Sequence, residues 1–253
     1  GTGAIGYTPG AAPSRLRERL DAQHVTLLAV RHGQSESNAL SSKYGEPVLA
    51  GRADAPLTEL GRRQAATAAL SLYEELGGDA WLEKAKRDPE LLPVLYASPL
   101  HRTQQTGAAL VQLLKEKGVE LELAVDPNLI ELDFGELDLQ PLSKLAEAAP
   151  ELHANWEAFK GTGVDFLHRF PGGESRLDVV HRQALFAAMV AEKHPGRTVI
   201  AFTHLEAMVG LQVATANVTT KEDGTLRVMA SRIPNASVMH FTGRSAPGIQ
   251  DDG

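Results

Sequence analysis

Three short apolar runs in this chain each end beside side chains suited to gripping or attacking an anion. HVTLLAV, closing at Val30, is followed by Arg31, His32 and Gly33. PVLYAS, from Pro93 to Ser98, is followed by His101 and Arg102, and RTVIAFT, from Arg197 to Thr203, by His204. A guanidinium offers a planar fork of N–H donors that matches the oxygens of a phosphate. An imidazole is the side chain that is neutral, and therefore nucleophilic, near pH 7. Two arginines nearby disfavour the imidazolium and keep a ring nitrogen free to attack. Gly33 allows a close backbone approach and a hydrogen bond to the ring. Arg31, His32, Arg102 and His204 therefore suit an anion with several oxygens.

The elements that position them follow from the pattern. The three runs, and a fourth at ASVMHFT (Ala236 to Thr242), read as buried strands. Helical spacing marks Thr58 to Leu76, Thr103 to Lys117 (stopped by Gly118) and Ser175 to His194. Strands alternating with helices predict an α/β fold, a mostly parallel central sheet with helices on both faces. In such a sheet ligands bind at the carboxyl ends of the strands, and that rule brings the three reactive ends to one crevice. Residues 1–24 read as a flexible N-terminal tail, with RLRERLDAQ as a short helix in it, and 25–245 as a single domain. The irregular stretch 132–171 reads as an excursion covering one end of the sheet.

Composition bounds the rest. The 253 residues are 43% hydrophobic, enough for a sizeable core, and the formal net charge of −7 lacks a basic nucleic-acid footprint. There is no cysteine, so disulfides, thiolate catalysis and cysteine-ligated metals are excluded. No apolar run approaches the roughly 20 residues that span a bilayer. The N-terminal stretch shows no apolar signal core. The expectation is a cytoplasmic protein without membrane or nucleic-acid partners, with a homodimer left open.

LLAVRHGQSESN resembles the histidine phosphatase superfamily, also called phosphoglycerate mutase-like, whose signature is Arg-His-Gly after the first strand. Further matches come in family order: GRADAPLTELGRRQA, YASPLHRTQQTGAAL, LIELDFGELD, FPGGESRLDVVHR and IPNASVMHF. They span about Val25 to Phe241. The resemblance implies the phosphoglycerate mutase-like fold and hydrolysis of a small phosphomonoester, with His32 becoming phosphohistidine. It implies that Arg31, Arg102 and His204 hold the phosphoryl oxygens. Glu131 matches the carboxylate that acts as general acid to the leaving oxygen and then as base toward water; Asp133 and Glu136 are close competitors. Asn38 matches a phosphate contact, and Glu174 and Ser175 lie in the substrate-facing Gly-Glu-Ser loop. Ser35, Arg52, Leu205 through its backbone N–H, His168 and its neighbour Arg169 complete the candidate binding set. No metal or organic cofactor is implied.

The chain also departs from the family pattern. Leu205-Glu206-Ala207 replaces the usual glycines after the second histidine, as in the fructose-2,6-bisphosphatase type, which HRFPGGESRLDVVHR also resembles. Glu136-Leu137-Asp138 stands where Trp-Glu-Gly is common, which predicts a different pocket wall. Residues 39–50 are extra and read as a lid or selectivity loop tipped by Ser42, Lys43 and Tyr44. The long insertion of classical dimeric phosphoglycerate mutases is not evident, so phosphatase is favoured over mutase, and over an inactive module that only binds a phosphorylated ligand.

Overall fold

The computed structural model describes residues 15–154, 166–167, 169–215, 219–220, 226–227 and 233–242. Its sheet is built from β1 (Thr26–Arg31), β2 (Val94–Ala97), β3 (Leu123–Val125), β4 (Thr198–Thr203) and β7 (Val238–His240), in the order β3-β2-β4-β1-β7. The first four are mutually parallel and β7 runs antiparallel beside β1. A separate ribbon pairs β5 (Thr219–Thr220) with β6 (Leu226–Arg227).

Alternation along the strands explains the layers. Side chains point to opposite faces at successive residues, and here both faces are apolar, which is the mark of a sheet covered on both sides. Leu27 and Ala29 of β1, with Val199 and Ala201 of β4, pack under α1 (Arg15–Ala22), α7 (Arg176–Lys193) and α8 (Leu205–Ala214). Leu28, Val30, Ile200, Phe202, Leu95 and Ala97 face the other way. They meet α3 (Glu59–Leu76), α4 (Gly78–Ala85) and α5 (His101–Glu116). A third apolar cluster joins Leu49, Leu132, Phe134, Leu137, Leu145 of α6 (Leu142–Ala148), Leu152, Phe170 and Val179. This cluster is the core of the expected excursion.

Two expectations change. Residues 15–24 are not tail: α1 buries Leu20 completely in the first apolar layer, and Val25 N–H donates to Leu20 C=O at 3.0 Å. Residues 1–14 lie outside the described residues. The 39–50 stretch is not simply a loop, because α2 (Glu36–Tyr44) runs into it and ends at Gly45, whose φ of 68° is the left-handed cap. Beyond that cap Val48 bridges to Pro141, and Glu46 accepts from the backbone N–H of Ser143 at 2.7 Å.

Candidate active site

Four parallel strands end at one edge of the sheet, and the residue after each of β1, β2 and β3 continues the ladder. His32 N–H donates to Thr203 C=O, Ser98 N–H to Phe202 C=O, and Asp126 N–H to Ala97 C=O, at 3.0, 3.0 and 2.9 Å. The loops that follow therefore start from fixed backbone. This is why sequence-distant residues 31–32, 98–102, 128–131 and 204 converge.

His32 is buried, and its Nδ1 lies 2.7 Å from Gly33 C=O. A carbonyl only accepts, so Nδ1 carries the proton and Nε2 keeps its lone pair. Burial first, then Arg102, hold the His32 pKa well below 6.5; the bond to Gly33 opposes them, and Arg31 adds a smaller lowering. The loop around it is pressed against α3. A Cβ on Gly33 would sit 2.4 Å from Gly61 C=O, and one on Gly61 would sit 2.0 Å from Gln34 C=O. Only glycines allow this contact.

The His204 ring stands edge-on to His32 with centroids 5.1 Å apart. Its Nε2 is 2.8 Å from Ser98 Oγ, while its Nδ1 is buried with no partner among the described residues. Burial first, then Arg102, His32, Arg182 and Arg31, lower its pKa well below 6.5. Arg31 donates from Nη1 to Ile233 C=O at 2.6 Å, and its buried Nε also lacks a partner among the described residues. Buried polar groups are nearly always hydrogen-bonded, so these two atoms are suited to a ligand oxygen. Arg102 is fully buried at the start of α5. It donates to Ala53 C=O and Gly51 C=O, both at 2.7 Å. The 51–53 turn is held in turn by Asp138, which accepts from Gly51 N–H and Ala53 N–H at 2.7 and 3.0 Å.

Glu131 is 5% exposed, and its Oε1 accepts from Leu132 N–H at 2.8 Å. Burial, with the charge of Glu206 adding to it, raises its pKa to about 7 against the pull of the Leu132 N–H, Arg102 and Arg31. It can thus hold a proton near neutrality. Its competitors are placed otherwise: Asp133 accepts from Gly135 N–H at 2.8 Å and Glu136 is exposed. Glu206 itself forms a two-pronged pair with Arg176, both contacts at 2.7 Å.

The remaining expected site residues are largely committed to protein. Ser35 and Asn38 form the capping box of α2, and Asn38 Oδ1 also accepts from Asn235 at 3.3 Å. Ser175 caps α7. Glu174 was expected to face substrate, but its carboxylate takes Arg182, Arg52 and the Asp133 N–H. Arg52 joins the network through Glu131 C=O at 3.1 Å. Leu205 opens α8 and packs its side chain on the first apolar layer. Arg169 pairs with Asp178 at 2.7 Å. His168 lies outside the described residues. Sequence reasoning missed Ser98, Asp138 and Arg182. For Arg182 the signal was a charge on the buried stripe of α7, between Val179 and Phe186.

No group of His, Asp or Glu among the described residues could hold a metal ion, and no described helix is long and apolar enough to cross a membrane. A bifunctional protein of Mycobacterium tuberculosis is 30% identical over 179 residues, 71% of this chain and 41% of its own length. This chain thus spans about two fifths of that relative. The glucosyl-3-phosphoglycerate phosphatase of M. tuberculosis is 30% identical over 230 residues, covering 88% of this chain and 87% of the relative. A solved structure of the mycobacterial enzyme of that name, complexed with VO3, superposes with a TM-score of 0.60 at 27% identity. It covers 85% of this chain and 91% of that one. The family model described as histidine phosphatase superfamily (branch 1) matches residues 27–245, and the chain belongs to that superfamily.

Proposed function

We propose that this chain is a phosphoric monoester hydrolase acting on a small phosphorylated molecule through a phosphohistidine on His32. The observation that carries the reading is the His32 ring: Nδ1–H is committed to Gly33 C=O, which leaves Nε2 its lone pair, and Arg102 and Arg31 are near enough to disfavour the imidazolium. Nε2 attacks phosphorus as the ester P–O bond breaks, and the proton of the Glu131 carboxyl passes to the leaving oxygen. A water then attacks phosphorus and breaks the N–P bond, and its proton goes to Glu131, with release of inorganic phosphate. Arg31 Nε, Arg102 and His204 Nδ1–H stabilise the charge on the phosphoryl oxygens in both steps, a contribution that is usually the largest single one.

The Ser98 hydroxyl, donating to His204 Nε2, fixes the tautomer that turns Nδ1–H toward the phosphoryl group. Glucosyl-3-phosphoglycerate heads the substrate panel because a relative matched over most of its length carries that name. Phosphoglycerates, sugar phosphates, nucleotides and phosphopeptides complete it. The test is phosphate release across this panel and from p-nitrophenyl phosphate, beside a His32→Ala control. Turnover that disappears in the control supports the reading. Tight binding of a phosphate ester without turnover contradicts it.

A further inference from the structure

The backbone that carries Glu131 leaves a single 3-10 turn at Pro127–Leu129, and each carbonyl from Asn128 to Glu131 is captured by a side chain. Arg182 and Gln183 of α7 donate to Asn128 C=O, at 2.7 and 2.5 Å. Thr203 Oγ donates to Leu129 C=O at 2.6 Å. Arg182 donates to Ile130 C=O at 2.9 Å. Glu131 C=O receives Arg52 Nε at 3.1 Å and Arg182 Nη2 at 3.4 Å. Buried carbonyls need partners, and in this turn one guanidinium supplies most of them. The five N–H groups of Arg182 are all used, two toward the Glu174 carboxylate at 3.0 Å each and three on this turn. Glu174 in turn takes Arg52, so the clamp closes on itself.

We propose that Arg182 is a positioning residue for the reaction. Locked by Glu174, it holds the Asn128–Glu131 turn so that the Glu131 carboxyl stands at the leaving-group oxygen. This rests on the reading of Glu131 as the proton donor. A fork of this shape is not replaced by an ammonium, which has three donors around a point and no plane. The five hydrogen bonds of the Arg182 side chain go to backbone carbonyls of this turn and to Glu174, so it acts on the proton transfer by placing Glu131; its charge also reaches His204, an effect common to all esters because His204 faces the phosphoryl group and not the leaving oxygen.

The test uses the dependence of rate on the leaving group. A good leaving group such as dinitrophenolate departs without a proton, whereas an alkoxide needs one. The full chain is assayed with 2,4-dinitrophenyl phosphate, p-nitrophenyl phosphate and glycerol phosphate. The variants are Glu131→Gln, Arg182→Met, Arg182→Lys, Glu174→Gln and the Glu131→Gln/Arg182→Met pair. Arg182→Met is expected to lower kcat/KM, which reports the phosphorylation step alone, on glycerol phosphate at least about tenfold more than on the dinitrophenyl ester. Arg182→Lys and Glu174→Gln are expected to shift the same ratio less. In the Glu131→Gln background the Arg182 change is expected to leave the ratio unmoved. Equal losses on all three esters in Arg182→Lys and Glu174→Gln, beside a skewed ratio in Glu131→Gln, would overturn the positioning role and leave the donor intact. An unskewed ratio in Glu131→Gln would overturn the donor reading and this proposal with it. Glu174→Gln keeps the cation in place, so it provides the readout if Arg182→Met does not fold.

Discussion

His32 and Glu131 are pushed in opposite directions by the same burial. Desolvation keeps the imidazole neutral and the carboxyl protonated, and these are the forms a nucleophile and a proton donor need. Replacing His32 by Ala is expected to lower kcat by about 10⁴-fold or more, measured against the same preparation of wild type. Glu131→Gln is expected to cost roughly 10²- to 10⁴-fold on alkyl phosphates. On such substrates kcat/KM should fall as pH rises through about 7, where Glu131 loses its proton. It should hold on the acid side to well below 6.5, because His32 stays neutral there. A rate that keeps rising above pH 8 on glycerol phosphate would speak against Glu131 as the donor.

At the scale of the elements, what matters is how loops are held at the strand ends. The Arg31-His32-Gly33 connection lies on the N-terminal turn of α3 through facing glycines, with a Gly33 Cβ only 2.4 Å from Gly61 C=O. Gly33→Ala is expected to cost about 1–3 kcal/mol by denaturant titration. It should also lower kcat in the folded protein, since the nucleophile rides on that loop. Gly33 was readable in sequence as a point of close approach, although its neighbour, Gly61, was not. β1, β2, β4 and β7 were readable as short apolar runs, and the longer helices because their apolar residues recur at a period of 3.6. α8 gives no such signal: Ala207 to Gln212 are all buried, so it has no polar stripe. α2, with ESNALSSKY, buries only Ser37 and is set by its Ser35–Asn38 capping box and Gly45 rather than by an apolar face. Arg31, His32, Arg102 and His204 were legible because each follows a strand. For Arg182 the charge on the buried stripe of α7 marked an unusual residue but not its role, because the carbonyls it holds lie some fifty residues away.

For the whole molecule, two apolar layers hold the sheet and the charged site sits at their edge. Phe186 is fully buried in the first layer, against Tyr96 at a centroid distance of 5.6 Å. Phe186→Ala is expected to cost about 3–5 kcal/mol. Its effect on kcat per folded molecule should be smaller than that of the site substitutions, because Phe186 belongs to the apolar layer and not to the charged cluster. The site also opposes stability in a pH-dependent way. The Glu131 pKa is near 7 folded against 4.5 as a free side chain, so the folded form binds the proton more tightly and loses stability as pH rises from 4.5 to 7. His32 and His204 act with the opposite sign. Their folded pKa values are depressed, so stability is lost as pH falls below 6.5. Glu131→Gln removes only the first effect. At pH 8 it should stabilise the protein by roughly 3 kcal/mol, and at pH 4 by little, as read from denaturation midpoints at the two pH values.

The most direct measurement is a rapid quench into alkali during turnover, followed by mass spectrometry of the digested chain. A base-stable, acid-labile phosphoryl group on residue 32, absent from His32→Ala and more persistent in Glu131→Gln, is the predicted result. Turnover on any phosphomonoester with residue 32 unlabelled at every quench time, or with the label on another residue, would contradict the account.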